Sequence, residues 1–166
     1  GAPGTNAWYR SNVQAATSAS DSVSGLALLE YAIDGGLWTK YTSALTLADG
    51  IHTLSIRACD VAGNVIQKDQ KAYADATTPL IKLSVNGTQG AGGWYVSDIQ
   101  VSGAGSDAGS GLASFEYAVD NGLWFPYIIP LPYSEGQRNV KFRATDQAGN
   151  TTITPAQAYF VDKTPP

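Results

Sequence analysis

Leu29, Tyr31 and Ile33 alternate with Leu28, Glu30, Ala32 and Asp34, and Phe115, Tyr117 and Val119 alternate with Ser114, Glu116, Ala118 and Asp120. Period two over this length predicts a half-buried strand whose first set faces a core. Asp34-Gly35-Gly36 and Asp120-Asn121-Gly122 then predict a tight hairpin, with Asn-Gly as the strongest short turn signal. The return strands carry Leu37-Trp38 to Tyr41 and Leu123-Trp124 to Tyr127. A short segment follows (Ala44–Leu47; Pro130–Tyr133), demoted to an edge or bulged strand in the second case by Pro130 and Pro132. Leu54, Ile56 and Ala58, matched by Val140, Phe142 and Ala144, form the inward face of the next strand. Arg57 and Arg143 therefore point outward, opposite Glu30 and Glu116 on the neighbouring strand. Asp60, Gly63 and Asn64, and Asp146, Gly149 and Asn150, mark a second tight hairpin, with glycine placed for positive φ and aspartate for capping. A last strand reaches Tyr73 or Tyr159.

These paired readings are one pattern written twice. Trp8 and Trp94, Asp21 and Asp107, Trp38 and Trp124, and Asn64 and Asn150 all differ by 86 positions, so the alignment needs no gap. About 30 of the 75 pairs from Asn6/Gly92 to Leu80/Pro166 are identical. Two domains are expected, residues 1–77 and 78–166, joined by a short, stiff Thr-Pro segment. Fourteen residues from Leu80 precede Trp94 and hold one more apolar strand, Leu80-Ile81-Lys82-Leu83-Ser84-Val85. Only seven residues precede Trp8. The first copy is therefore expected to lack that strand and to expose an unpaired sheet edge open to a neighbouring molecule or a foreign strand. Residues 1–7, small and polar, are expected to be mobile, with GAPGT as a linker remnant.

Composition narrows the partners. The charged fraction is 14%, Gly numbers 18, and Tyr and Trp number 9 and 4, a profile suited to all-β structure. The net charge is −4, and basic residues are scattered, so neither nucleic acid nor anionic membrane is an expected partner. No apolar run approaches the roughly 20 residues of a membrane helix. Cys59 is alone and faces Thr145 in the alignment, so packing rather than a disulfide must stabilise each copy.

GWYVSD, DAGSGLASFEYAVDNGLW, the Gly-x-x-x-V/L-x-F/I-R-A-x-D-x-A-G-N run and the closing DKTPP resemble tandem bacterial immunoglobulin-like repeats of secreted and surface proteins, including the type named after a spirochaete outer-membrane protein. The resemblance covers nearly the whole chain, twice. It implies two all-β, immunoglobulin-like or fibronectin-III-like β-sandwiches of about seven strands each, the first lacking its first strand. One departure concerns the tyrosine corner before the sixth strand, where His52 and Arg138 lie nearby instead. The family offers no catalytic residues to carry over.

The candidate chemistry is correspondingly sparse. His52 is the only histidine, without further metal ligands or a paired nucleophile. Glu30 with Asp34, or Glu116 with Asp120, sit four residues apart on one strand face, about 13 Å between Cα atoms, beyond the reach of a retaining glycosidase pair. Calcium is the sharper cation reading, through Asp21 or Asp107, Asp75, Asp162 and Asp60 or Asp146, although no dense Asp/Asn spacing of a calcium loop occurs; turn capping is the competing role. Trp8, Tyr9, Trp94, Tyr95 and Trp124 are candidates to stack on sugar rings, against the competing role of core packing. The expected function is a non-catalytic extracellular structural or spacer module, with adhesion as a further role, in a larger bacterial protein. Carbohydrate binding beside a secreted hydrolase is the alternative. Expected partners are neighbouring domains of the same polypeptide, a glycan or a cell-surface protein. No cofactor is required, and the chain is expected to be monomeric, with edge-strand pairing open through the first copy.

Overall fold

The computed structural model describes all residues from Gly1 to Pro166. It contains strands and turns but no helix, as the period-two pattern and the turn chemistry require. The chain divides into two compact units, Gly1–Thr77 and Thr78–Pro166.

The first unit holds β1 (Val13–Ala15), β2 (Leu26–Ile33), β3 (Thr39–Lys40), β4 (Leu45–Leu47), β5 (Gly50–Asp60) and β6 (Val65–Ala74). One sheet runs β3-β2-β5-β6 and the other is the pair β1-β4. The second unit holds β7 (Leu80–Asn86), β8 (Trp94–Tyr95), β9 (Ile99–Ser106), β10 (Leu112–Val119), β11 (Phe125–Pro126), β12 (Leu131–Tyr133), β13 (Gly136–Asp146), β14 (Thr151–Ile153) and β15 (Gln157–Val161). Its sheets run β12-β9-β7 and β11-β10-β13-β15-β8, with β14 beside β13. Side chains from both sheets meet in each core, so each unit is a β-sandwich of the immunoglobulin-like class. The proline-bearing segment Leu131–Tyr133 pairs only with β9 and forms the edge, where a missing N–H costs no ladder bond.

β1 pairs with β4 alone, and no strand of the first unit occupies the place that β7 holds beside β9. The consequences reach the core. In the second unit Val140, Phe142 and Ala144 of β13 are fully buried, and Val140 and Phe142 join Ile99, Val101 and Leu131 of the facing sheet. The matching Leu54 is buried, but Ile56 and Ala58 are only half-buried. The buried cluster there shrinks to Val13, Leu47 and Ala74. The strand facing the gap shortens as well, since β9 runs for 8 residues and β1 for 3.

Residues 1–7 are not a mobile leader. Gly4 N–H donates to the Trp8 carbonyl at 2.9 Å and Ala2 N–H to Ser11 Oγ at 2.7 Å. Gly90 to Trp94 at 2.8 Å and Thr88 to Ser97 Oγ at 2.8 Å repeat both bonds. The bridges Pro3–Tyr9 and Gln89–Tyr95 correspond too. The repeat therefore extends back to Gly1/Gly87, hidden from the sequence because backbone groups make most of this loop.

The gapless alignment fails near the other end. Ala58 pairs with Ile66, and Ala144 with Thr152, in step with the 86-residue offset. Beyond Thr154-Pro155 the second unit carries one extra residue, so Val140 pairs with Gln157 where Leu54 pairs with Gln70. Pro155 has no N–H to give the ladder, and the strand breaks and bulges there while β6 runs on unbroken. A one-residue slip turns every later side chain to the other face. Tyr159 enters the core, whereas Tyr73 points out and Ala72 and Ala74 point in. The structural offset over this tail is 87, and it aligns Asp75 with Asp162. Thr77 N–H on Asp75 Oδ1 and Thr164 N–H on Asp162 Oδ1, both 3.0 Å, show the match.

The first hairpin also departs from expectation. Its central residues are Asp34-Gly35 and Asp120-Asn121, all with positive φ, closed by Gly36 N–H to Ile33 O and Gly122 N–H to Val119 O. This is a type I′ turn set one residue earlier than Asn121-Gly122 suggested. The return strand does not zip up directly. Pairing resumes only at Tyr31–Thr39 and Tyr117–Phe125, because Asp34 and Asp120 bond to Thr53 and Asn139 of the neighbouring strand instead. The released residues leave Leu37 and Leu123 exposed and carry Trp38 and Trp124 onto the outer face of the sheet.

Candidate functional site

The outward face of β10 and β13 carries Glu116, Arg143 and Lys141, with Glu116 and Arg143 directly opposite in register. Arg143 Nε donates to Glu116 Oε2 at 2.9 Å, and Arg57 Nε to Glu30 Oε2 at 3.0 Å in the first unit. The Trp124 ring lies over the same arginine, 4.5 Å from centroid to Cζ, with Lys141 Nζ at 5.3 Å. Trp38 repeats the stack on Arg57 at 4.4 Å. Each guanidinium is thus held by a carboxylate in its plane and an indole on its face. Ala118 and Ala32, of outward parity, are buried nonetheless. Ala118 pairs with Lys141. Trp38 was missed as a candidate, although its identity with Trp124 at equal distance from the Arg was a usable signal.

The five aromatic candidates fall into different roles. Tyr95 is buried in the core of the second unit and offers no ligand surface. Tyr9 packs on the core of the first unit, and its backbone bridges Tyr73 and Asp75. Trp8 meets Tyr73 edge-on at 5.5 Å, and Trp94 leans on Phe160 at 5.3 Å. Trp94 remains 42% exposed. Trp94 and Trp124 share the outer face of one sheet but lie apart, Trp94 on the edge strand β8 and the Trp124 ring over Arg143 of β13, with β15 between. Within the second unit the exposed rings therefore form no single platform.

The carboxylates are tied into their own loops. Asp60 Oδ1 accepts from Asn64 N–H at 2.8 Å and Oδ2 from Asn64 Nδ2 at 2.7 Å, and Asp146 with Asn150 repeats both. Gly63 and Gly149 supply the positive φ that closes the loop. Asp21 Oδ2 accepts from the N–H groups of Val23, Ser24 and Gly25, and Asp107 Oδ1 from Gly109 and Gly111. These bonds hold the Asp21 and Asp60 carboxyls below the ordinary carboxylate range, led by Gly25 N–H and by the Asn64 side chain respectively. Asp34 is lowered too, first by its bond with His52. In the second unit Asp107 and Asp146 bring carboxylate oxygens within 4.8 Å.

His52, the single histidine, makes an ion-pair contact rather than a metal or catalytic set. It lies inside β5 with Nδ1 2.8 Å from Asp34 Oδ2. Tyrosines that the tyrosine-corner comparison overlooked brace the sheets against each other. The hydroxyl of Tyr41 accepts from Thr17 N–H at 3.3 Å, and that of Tyr127 from Gly103 N–H at 3.2 Å.

Residues 126–163 match the family model described as "Bacterial Ig-like domain". The match lies within the second unit, from β11 to the end of β15. Among solved structures, fibronectin(III)-like modules of Clostridium thermocellum CbhA are similar at 14% identity, over 96% of this chain and 90% of that one, with a TM-score of 0.38. A Bacteroides ovatus protein of a mixed-linkage glucan utilization locus, SGBP-B, in complex with a mixed-linkage heptasaccharide, is similar at 12% identity over 98% and 67%, with a TM-score of 0.33. No curated protein matches the sequence.

Proposed function

We propose that the chain is a non-catalytic pair of immunoglobulin-like modules that space or present other domains of an extracellular bacterial protein, with adhesion as a further role. The observation that carries this reading is the use made of the same polar residues in both copies. Glu30/Glu116 hold Arg57/Arg143, Asp34/Asp120 tie the first turn to the neighbouring strand, and Asp60/Asp146 close the second turn. A chemistry repeated at matching positions as turn and register control suits a scaffold. Single-molecule pulling on the chain between handles tests it. Two mechanically resistant unfolding events support load-bearing modules, and unfolding without measurable resistance removes the reading.

A second reading, carbohydrate binding, is favoured by one observation. Exposed Trp94 leans on half-buried Phe160 on the outer face of the sheet. A glycan array with the intact chain and Trp94→Ala decides it. Binding lost in the variant supports the sugar site, and no binding to any polysaccharide eliminates it.

A further inference from the structure

We propose that the outer face of the β12-β9-β7 sheet in the second unit carries a binding site for a neutral sugar, centred on the side-chain amides of Asn86 and Gln100. Trp94 and Phe160 belong to the other sheet of that unit. The site therefore goes beyond the spacer role and stands whether or not the Trp94 surface binds.

Asn86, Gln100 and Pro132 are direct partners on three neighbouring strands, so their side chains stand in one row across the sheet. Ile99 and Val101 on either side of Gln100 are buried, which turns the row to solvent. The row borders a polar hollow of about 730 Å³ at the start of β9, within the roughly 300–1,000 Å³ of small-ligand pockets. One wall is the corner Asn86-Gly87-Thr88. A Cβ on Gly87 would stand 2.6 Å from Ile99 Cγ2 and 3.2 Å from the Asp98 carbonyl oxygen, so the missing side chain is what lets this corner close on β9. Thr88 N–H donates to Ser97 Oγ at 2.8 Å and pins the corner in place. Tyr133 and Ser134 line the hollow from the β12 side.

The first unit shows the matching amide engaged. There Gln14 Nε2 donates to Thr46 Oγ1 at 2.8 Å across the β1-β4 pair. Pro132 stands where Thr46 stands and has no hydroxyl, so the Gln100 side chain has no partner within the chain, and neither does that of Asn86. The ligand class follows from this set. Each carboxamide offers two N–H donors and a carbonyl acceptor, and the Thr88 hydroxyl adds one group that serves either way. Neighbouring hydroxyls on a sugar ring both donate and accept, which answers that alternation. Charge favours a neutral ligand, because the Asp98 carboxylate at the hollow is already held by Lys163 Nζ. An extended peptide is the wrong occupant. β9 is paired on both sides here, so the hollow presents no free ladder edge.

The test titrates the isotopically labelled full chain with cellohexaose, xylohexaose, mannohexaose and maltohexaose, read on the side-chain amide signals of Asn86 and Gln100. The expected result is a saturable shift of both amides with at least one of these sugars, at a Kd of about 1 mM or tighter. Gln100→Ala, at an exposed position where the fold tolerates the change, should weaken that binding about tenfold. Pro132→Thr should weaken it as well, by giving Gln100 the hydroxyl partner that Gln14 has. Trp94→Ala should leave it unchanged. Three results overturn the proposal. One is no shift of either amide with any of the sugars. Another is binding that Gln100→Ala or Pro132→Thr leaves undiminished. The third is binding lost in Trp94→Ala, which puts the sugar on the Trp94 surface instead.

Discussion

Tyr73 and Tyr159 occupy the same place in the repeated sequence and point to opposite faces of their sheets. Tyr159 is sealed in the core beside Tyr95, while Tyr73 lies outside against Trp8. The cause is the single extra residue at the Pro155 break, since side chains alternate with period two.

The pair predicts unequal costs for one substitution. Tyr159→Ala should destabilise the second unit by about 3–5 kcal/mol, the usual loss for a large buried ring. Tyr73→Ala should cost the first unit about 1 kcal/mol, for an aromatic contact on a half-exposed surface. Urea unfolding followed separately for the two units checks the difference.

Alkaline pH should find the same core. Burial pushes the phenols of Tyr133 and Tyr159 above the ordinary value, with neighbouring Tyr117 next in importance for the first and Tyr95 for the second. A phenol whose pKa is raised on folding stabilises fully below the unfolded value of about 10 and loses that contribution as pH climbs through the folded value. Spectrophotometric titration should show two late tyrosines, and Tyr159→Phe should remove one and lessen the alkaline fall in stability.

At acid pH the loops should give way first. Asp21, Asp34 and Asp60 are held low by hydrogen bonds, so their contribution is present above about pH 4 and is lost as pH falls through the lower folded values. Thermal midpoints measured from pH 5 to 2 should decline, and Asp60→Asn should flatten that decline by removing one titrating carboxyl.

Gly103 has a packing role that its exposure does not advertise. A Cβ there would stand 2.8 Å from Phe142 Cε1 and 2.9 Å from Phe115 Cζ. Gly103→Ala should therefore cost about 1–3 kcal/mol through overpacking. Thr17→Ala, at the matching place beside the smaller Ile56, should change stability by under about 0.5 kcal/mol. Thermal unfolding of both variants decides it.

The Glu116–Arg143–Trp124 stack should behave as a register device. A double-mutant cycle on Glu116 and Arg143 should return a coupling of roughly 0–1 kcal/mol, the range of a solvent-accessible pair. Trp124→Ala should cost about 0.5–2 kcal/mol from the lost cation–π contact. A coupling far above that range would show that the pair bears more of the fold than its partial exposure allows.

Much of this molecule was legible in the chain because its instructions are local. Alternation at Leu29-Tyr31-Ile33 specified the strand and its inner face, and the Asp60–Asn64 run specified the loop, since both depend on neighbouring residues and on backbone sterics. Facing of Glu30 with Arg57 followed from parity alone, and β7 followed from the apolar stretch Leu80–Val85 ahead of Trp94. What tertiary structure decided was wherever one element's fate depends on another's. Pro155 reset the register of everything after it, Asp34 and Asp120 chose the neighbouring strand over their own hairpin, and residues 16–20 failed to become a strand because no partner lies alongside. Parity tells which side chains share a face, but burial and pairing require a second surface, and only the folded chain shows where that surface is present.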